Sequence, residues 1–342
     1  RGYNINDLCK HTSFMQTAYL LFNEQLPTPS QLQAFCQTEQ ENRNLPDTLY
    51  ALFKDIPSHT HPMDVLKIGV SFLATQDTNN PLGHNHNTQT KAIALFAKIP
   101  TLVANSYRIM HDLPIHKPDP ALSYAENFLS MILGKKTQDP EKTKLLDTSL
   151  ILYAEHGFNA STFAARVTAS TLSDYYSAIT SAIGTLKGPL HGGANEKVMD
   201  LLAEMDAPEK AATIIRNKLA KKEKIMGFGH RLYRTGDSRV ATIKALGYAL
   251  AQKEDKTHLY NLGAIAEEIM INEKGIYPNL DFPAAMAYHL LDIPIPLYTP
   301  IFVASRLTGW SAHIIEQYQN NRLIRPGCLY TGPKPKIGRA HV

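Results

Sequence analysis

Apolar residues recur at helical spacing along almost the whole chain, and the alternating pattern of a strand is nearly absent. That pattern predicts an all-α protein with many helices and short loops. In SFMQTAYLLFNEQL (13–26), Phe14, Ala18, Leu21 and Phe22 share one stripe. SQLQAFCQTEQEN follows Pro-Thr-Pro, with Ser30 expected as the N-cap. HPMDVLKIGVSFLAT (61–75) puts Pro62 at a first helical position, with a stripe through Val65, Ile68 and Phe72. TKAIALFAKIPTLVANSYRIM (90–110) is expected to break or kink at Pro100. Residues 161–187 are rich in Ala, Ser and Thr and poor in charge, which predicts a helix buried in the core or in a subunit interface. Helical patterns also fit 198–205, 208–222, 239–252, 261–273 and 298–318. The polar stretch 74–90 is expected to be an exposed loop.

The chain has 342 residues, enough for one large domain or two ordinary ones. Its formal net charge is +4, and the one basic cluster is KLAKKEKIMGFGHRLYR (218–234), so composition argues against a nucleic-acid partner. Cys9, Cys36 and Cys328 are few, odd in number and far apart, which suits a reducing compartment, and a cytoplasmic location is expected. No apolar run reaches transmembrane length, so no membrane partner is expected. The chain begins at Arg1 in what already reads as folded sequence, and its last six residues, IGRAHV (337–342), read as a non-native tail. A fragment trimmed at both ends is therefore expected.

Glycine-rich loops fall at 184–195, 227–229 and 275–283. They and one further stretch hold titratable groups in special settings. YAEHGFNAST (153–162) carries His156, and GPLHGGANE (188–196) carries His191. IMGFGHRLYRTGDSRV (225–240) carries His230, Arg231, Arg234 and Arg239. GIYPNLDFPAA (275–285) carries Asp281, between a Pro-Asn turn and a Pro-initiated helix. Arg306 and Arg325 follow. Each alone has an ordinary reading as a cap, a turn or a surface residue. GFGHRL lacks the preceding strand that a dinucleotide site needs. HTH (59–61) and HNH (84–86) lack the partners of a metal site and read as solvated loop histidines. Together, one carboxylate, three loop histidines and several arginines suit a small, multiply anionic substrate. Arginine clamps carboxylates bidentately, a neutral histidine can polarise a carbonyl, and a desolvated Asp can take a proton beside one.

At these stretches the chain resembles the citrate synthase family, over nearly all of residues 1–333. GPLHGGANE, GFGHRLYRTGDSR and YPNLDF resemble its three catalytic segments in order, and RGYNI and RPGCLYTGP resemble its terminal segments. LYAEHGFNASTFAARVTASTLSD, HPMDVLKIGV and TPIFVASRLTGWSAHIIEQ look most like the short bacterial 2-methylcitrate synthases. The resemblance implies a two-domain helical fold: a large domain, 1–191 with 285–336, and a mobile small domain, 192–284. It implies a homodimer with sites between subunits.

The resemblance also implies roles. Asp281 is the general base on an acyl-CoA, His191 stabilises the enol, and His230 polarises the oxaloacetate carbonyl. His156, Arg239 and Arg306 hold the oxaloacetate carboxylates, and Arg325 comes from the other subunit. Met226, Gly227, Phe228, Gly229 and Arg234 contact coenzyme A. The implied activity is Claisen-type condensation followed by thioester hydrolysis, with propionyl-CoA favoured and acetyl-CoA as the alternative. No metal and no cofactor beyond coenzyme A in the substrate is implied. Ser238 stands where the family often has proline, which is expected to loosen the turn carrying Arg239. An inactive relative, a nucleic-acid-binding helical protein and a citrate-cleaving module are the competing readings. They lose ground because Asp281, His191 and His230 are all present, the basic residues are dispersed, and no nucleotide-grasp segment is seen.

Overall fold

A computed structural model describes residues 1–78, 87–137, 139–230, 233 and 235–333. Among these residues, helices account for the regular structure and no strand forms. The first half of the chain holds α1 (Ile5–His11), α2 (Phe14–Asn23), α3 (Pro29–Glu41), α4 (Asp47–Lys54), α5 (Pro62–Gln76), α6 (Thr88–Met110), α7 (Tyr124–Leu133) and α8 (Pro140–Tyr153). The second half holds α9 (Ala160–Ser170), α10 (Tyr175–Leu186), α11 (Ala194–Met205), α12 (Pro208–Ala220), α13 (Val240–Lys253), α14 (His258–Lys274), α15 (Asp281–Leu290) and α16 (Tyr298–Gln319). None of the helices in the described residues is long and apolar enough to cross a membrane.

Local chemistry sets the starts. Ser13, Thr28 and Ser123 each close a capping box with Gln16, Gln31 and Glu126. Such a cap contributes about 1 kcal/mol. The cap of α3 is thus Thr28 rather than Ser30, because Pro29 takes the first helical position, where no N–H is needed. The apolar face of α5 is also turned from the expected stripe. Met63, Val65, Leu66, Val70 and Leu73 are buried, while Ile68 is exposed.

Helix α6 runs unbroken through Pro100. An internal proline costs a helix about 3 kcal/mol, in part because the carbonyl four residues back loses its donor. Here the Tyr124 hydroxyl donates to that carbonyl, Phe96 O, at 3.3 Å. The small-residue stretch 161–187 is two helices rather than one. It breaks between α9 and α10, where Leu172 adopts a left-handed φ of 63° and Asp174 caps the second helix. Of the expected loop at 74–90, residues 79–86 lie outside the described residues, and with them HNH (84–86).

Helix α16 is the axis of the fold. It packs against α2, α5, α6, α8, α9, α10 and α11 and buries Trp310 completely. Helices α11, α12 and α14 pack on one another, and α15 joins α11 and α13. Helices α13 and α15 both return to α8. This convergence brings residues far apart in sequence to the C-terminal end of α8.

Candidate active site

A helix ends with carbonyls that lack intrahelical donors, and cations are favoured there. At the end of α8, two buried arginines serve these groups. Arg239 Nη1 donates to Leu152 O at 3.3 Å, and Arg306 Nε donates to Tyr153 O at 2.6 Å. The next carbonyl, Ala154 O, accepts from Gly309 N at 3.1 Å. Tyr153 contributes its side chain as well: its hydroxyl donates to Asp281 Oδ1 at 2.7 Å.

Asp281 opens α15, where Asn279 Oδ1 accepts its backbone N–H at 3.0 Å. The helix thus begins at Asp281, two residues before the expected Pro283. Burial pushes the Asp281 carboxyl up to about 6, against the pull of Tyr153, Arg239 and Arg306. The group is therefore ionised at neutral pH but close to its titration.

The two arginines differ in what they leave free. Arg239 Nε and Nη2 both donate to the Asp237 carboxylate, at 2.9 and 2.6 Å. Asp237 thereby fixes the arginine, with exposed Ser238 between the two. Arg306 lies over the Phe302 ring at 4.6 Å, and its two terminal nitrogens carry no hydrogen bond among the described residues. Arg306 is the open bidentate donor of the pair.

His156 and His230 face one another, Nε2 to Nε2, at 3.3 Å. Tyr233 N donates to His230 Nδ1 at 3.3 Å, so the neutral His230 ring carries its proton on Nε2. Burial, then Arg239 and Arg306, holds His156 down to about 3. Burial also lowers His230.

His191 sits in the turn between α10 and α11. Its Nε2 accepts from Ser161 N at 3.3 Å and lies 2.8 Å from Ser161 Oγ. Trp310 Nε1 donates to the same Ser161 Oγ at 3.1 Å. With Nε2 accepting a backbone N–H, the neutral ring carries its proton on Nδ1. Burial, aided by Arg306, holds His191 down to about 4. The glycines beside it answer a packing need. A Cβ on Gly192 would lie 2.6 Å from Leu186, and one on Gly193 would lie 2.8 Å from Lys187 O.

The segments carrying His230 and Asp281 are tied together. Gly229 N donates to Tyr277 O at 2.8 Å, Asn279 N to Gly227 O at 2.9 Å, and Asn279 Nδ2 to Gly229 O at 3.0 Å. Phe228 and Pro278 form an isolated bridge. Gly227 and Gly229 have φ of 84° and 81°, which a side chain would strain. Beside this ribbon lies a cavity of about 360 Å³, lined by His230, Tyr233, Asp237, Ile276 and Tyr277 among others. Met226 and Phe228 are half-buried next to it in sequence. Arg234 lies outside the described residues. Arg325 is exposed, and among the described residues it donates to Pro326 O and makes no hydrogen bond with this cluster.

Five partners were not legible as site residues: Tyr153, Ser161, Asp237, Asn279 and Phe302. Phe302 is the hub between the two ends of the site. It contacts the rings of Tyr153 and His191 at 4.2 and 6.2 Å. Its apolar character in a helical stripe carried no signal beyond core packing. Asn279 and Asp237 were at least marked by turn chemistry.

Residues 1–327 match the family described as citrate synthase, C-terminal domain. A citrate synthase of Mycolicibacterium smegmatis is 46% identical over 332 residues, 97% of this chain and 88% of that one. A 2-methylcitrate synthase of Mycobacterium tuberculosis is 45% identical over 337 residues, 98% and 85% of the two chains. Among solved structures, the citrate synthase of Thermoplasma acidophilum, in a ternary complex with carboxymethyl coenzyme A and oxaloacetate, superposes with a TM-score of 0.92 at 32% identity. That match covers 98% of this chain and 90% of the other. With the helical fold and the similarity both running the length of the chain, this protein belongs to the citrate synthase family.

Proposed function

We propose that this chain condenses an acyl-CoA with oxaloacetate and hydrolyses the resulting thioester, with propionyl-CoA as the preferred donor. The observation that carries the reading is a partly buried carboxylate poised near pH 6, Asp281, grouped with three neutral histidines and an open arginine.

In this reading Asp281 takes a proton from the carbon next to the thioester. His191 donates from Nδ1 to the thioester oxygen as charge develops there, and a neutral ring suits a group that acts mainly in the transition state. The enol carbon attacks the keto carbon of oxaloacetate, whose oxygen takes the place now held by His156 against His230 Nε2. Arg306, Arg239 and His156 hold the carboxylates, with Arg306 making the bidentate contact. Water then cleaves the thioester and releases the coenzyme A thiol. The cavity beside Gly229 and Tyr277 suits part of coenzyme A, and by the family resemblance Met226, Gly227, Phe228, Gly229 and Arg234 are the residues that would contact it. No metal or further cofactor enters these steps.

We assign residues 192–284 to a small domain that closes over the substrates, and 1–191 with 285–336 to the large one. A homodimer explains two features. Phe158, Phe163 and Leu172 are exposed on and around α9, and Leu323, Leu329 and Tyr330 are exposed in the C-terminal arm. Exposed Arg325, which makes no hydrogen bond with its own site among the described residues, would then complete its partner's. No nucleic acid takes part.

The acyl preference rests on the stretches around His156 and Arg306, which resemble 2-methylcitrate synthases. A relative named citrate synthase at 46% identity favours acetyl-CoA as the second reading. One methylene is worth about 1–3 kcal/mol of discrimination, so both donors are expected to react. Thiol release with oxaloacetate and each donor tests this. A higher kcat/KM for propionyl-CoA is expected. A ratio favouring acetyl-CoA overturns the preference, and no release with either overturns the activity.

A further inference from the structure

His61 is not a solvated loop residue. It caps α5: its Nδ1 accepts from Met63 N at 3.1 Å. With that nitrogen accepting, the neutral ring carries its proton on Nε2, and Nε2 lies 3.1 Å from Glu196 Oε2. The other oxygen of the same carboxylate, Oε1, accepts from the Thr299 hydroxyl. Glu196 stands in the first turn of α11, and Thr299 in the first turn of α16. One carboxylate therefore joins the starts of three helices, and His191 lies five residues before it.

The other flank of the His191 turn is tied to the same place. Lys187, which closes α10, donates to Asp64 Oδ2 at 2.6 Å, and Asp64 is in the first turn of α5. Both ends of the turn 187–193 are thus bonded to one helical turn, residues 61–64. The two ties differ in strength. Lys187 and Asp64 are 39% and 31% exposed, so that pair contributes little. On the other tie His61 is 33% exposed, but Glu196 is 18% exposed and Thr299, its second partner, is buried. Within the turn, His191 N donates to Gly188 O at 2.9 Å and Ala194 N to His191 O at 3.2 Å, so a tilt of α11 carries the His191 backbone with it.

We infer that Glu196, held by His61 and Thr299, is a positioning residue for His191: it fixes the start of α11 and so the angle at which the imidazole meets Ser161 and the substrate. The role rests on the proposed use of His191 as the donor to the thioester oxygen. Glu196 also lies just inside the proposed small domain, while His61 and Thr299 lie in the large one. The contact therefore bridges the two proposed domains.

The test compares Glu196→Ala, His61→Asn, the double variant and Glu196→Gln in the full chain, with oxaloacetate and propionyl-CoA. Asn keeps a cap for α5 but cannot reach Glu196, so His61→Asn separates capping from the tie. A displacement of about 1 Å at a reacting group can cost roughly a hundredfold in rate. Glu196→Ala is expected to lower kcat at least tenfold, with the KM for oxaloacetate within twofold of wild type. His61→Asn should reproduce this, and the double variant should be no worse than Glu196→Ala. Glu196→Gln should retain most of the rate, its carbonyl accepting from His61 and its amide donating to the Thr299 hydroxyl. Unchanged kcat in Glu196→Ala or in His61→Asn overturns the proposal. So does a loss that only tracks the folded fraction, read by circular dichroism, or a Glu196→Gln as poor as Glu196→Ala. His191→Ala separates the two levels. If it turns over like wild type, the use of His191 fails and the positioning role fails with it. If it is inactive while Glu196→Ala is not, the positioning role alone fails.

Discussion

The Tyr153 hydroxyl donates a 2.7 Å hydrogen bond to Asp281 Oδ1, at a carboxylate that is partly buried. Burial raises the carboxyl to about 6, and Tyr153 and the two arginines keep it from rising further. The proposed base must be ionised to act. Activity is therefore expected to rise with pH through about 6, and kcat/KM against pH reads this limb in the free enzyme.

Tyr153→Phe removes the donor and leaves the ring packed on Phe302. A hydrogen bond to a charged group contributes about 1.5–3 kcal/mol, which is roughly one to two pH units. The acid limb of the Tyr153→Phe profile is expected to move upward by about one unit or more. An unmoved limb would separate Tyr153 from the titrating group.

Gly309 is expected to tolerate no side chain. A Cβ there would lie 2.4 Å from Ala154 O and 3.2 Å from the Glu155 Cα. Gly309→Ala should push the Ala154–His156 backbone away from α16 and misplace His156. Overpacking of this kind costs about 1–3 kcal/mol. A raised KM for oxaloacetate together with a lower thermal midpoint is the expected result, measured by steady-state kinetics and calorimetry.

Much of this site was readable from sequence because backbone constraints leave marks. Gly227 and Gly229 are glycine because φ is positive, and Asn279, in the turn after Pro278, accepts the backbone N–H of Asp281 where α15 begins. The turns were therefore visible as turns. The end of α8 was not. Tyr153 reads as one more apolar residue in a helix, and its partner lies 128 residues away. Which aromatic hydroxyl meets which carboxylate depends on how α8 and α15 dock, and local pattern does not encode that. The continuity of α6 was not legible for the same reason: Pro100 is a local break signal, and Tyr124 answers it from another helix. Gly192 and Gly193 were legible as a turn. The need for glycine there was not, because Leu186 and Lys187 O, which occupy the space a Cβ would need, are brought there by the fold of the turn.

The neutral histidines make folding sensitive to acid. His191 and His156 are held to about 4 and about 3, below the ordinary value of 6.5. The unfolded chain binds more protons than the folded one below about pH 6.5, so their contribution to stability falls as pH drops through that range. Asp281 works in the opposite sense between about 4 and 6, because its folded value is raised. Net loss on acidification is expected, since two histidines oppose one carboxyl. His191→Asn should flatten the decline in denaturation midpoint between pH 6.5 and 4.

Arg325 tests the dimer. It is exposed and makes no hydrogen bond with the site among the described residues, so Arg325→Ala should leave the fold intact. If the partner subunit uses it, Arg325→Ala lowers turnover. Mixing that variant with Asp281→Asn and re-forming dimers should then restore activity above that of either alone. No recovery in mixed dimers would remove Arg325 from the partner's site.

Asp281→Asn is the most direct measurement of the central claim. Turnover with oxaloacetate and propionyl-CoA, read as thiol release, is expected to be abolished. Binding of oxaloacetate, read by calorimetry, should persist because Arg306 and the histidines are untouched. Thiol release at the wild-type rate from Asp281→Asn would contradict the assignment of the proton-abstracting base.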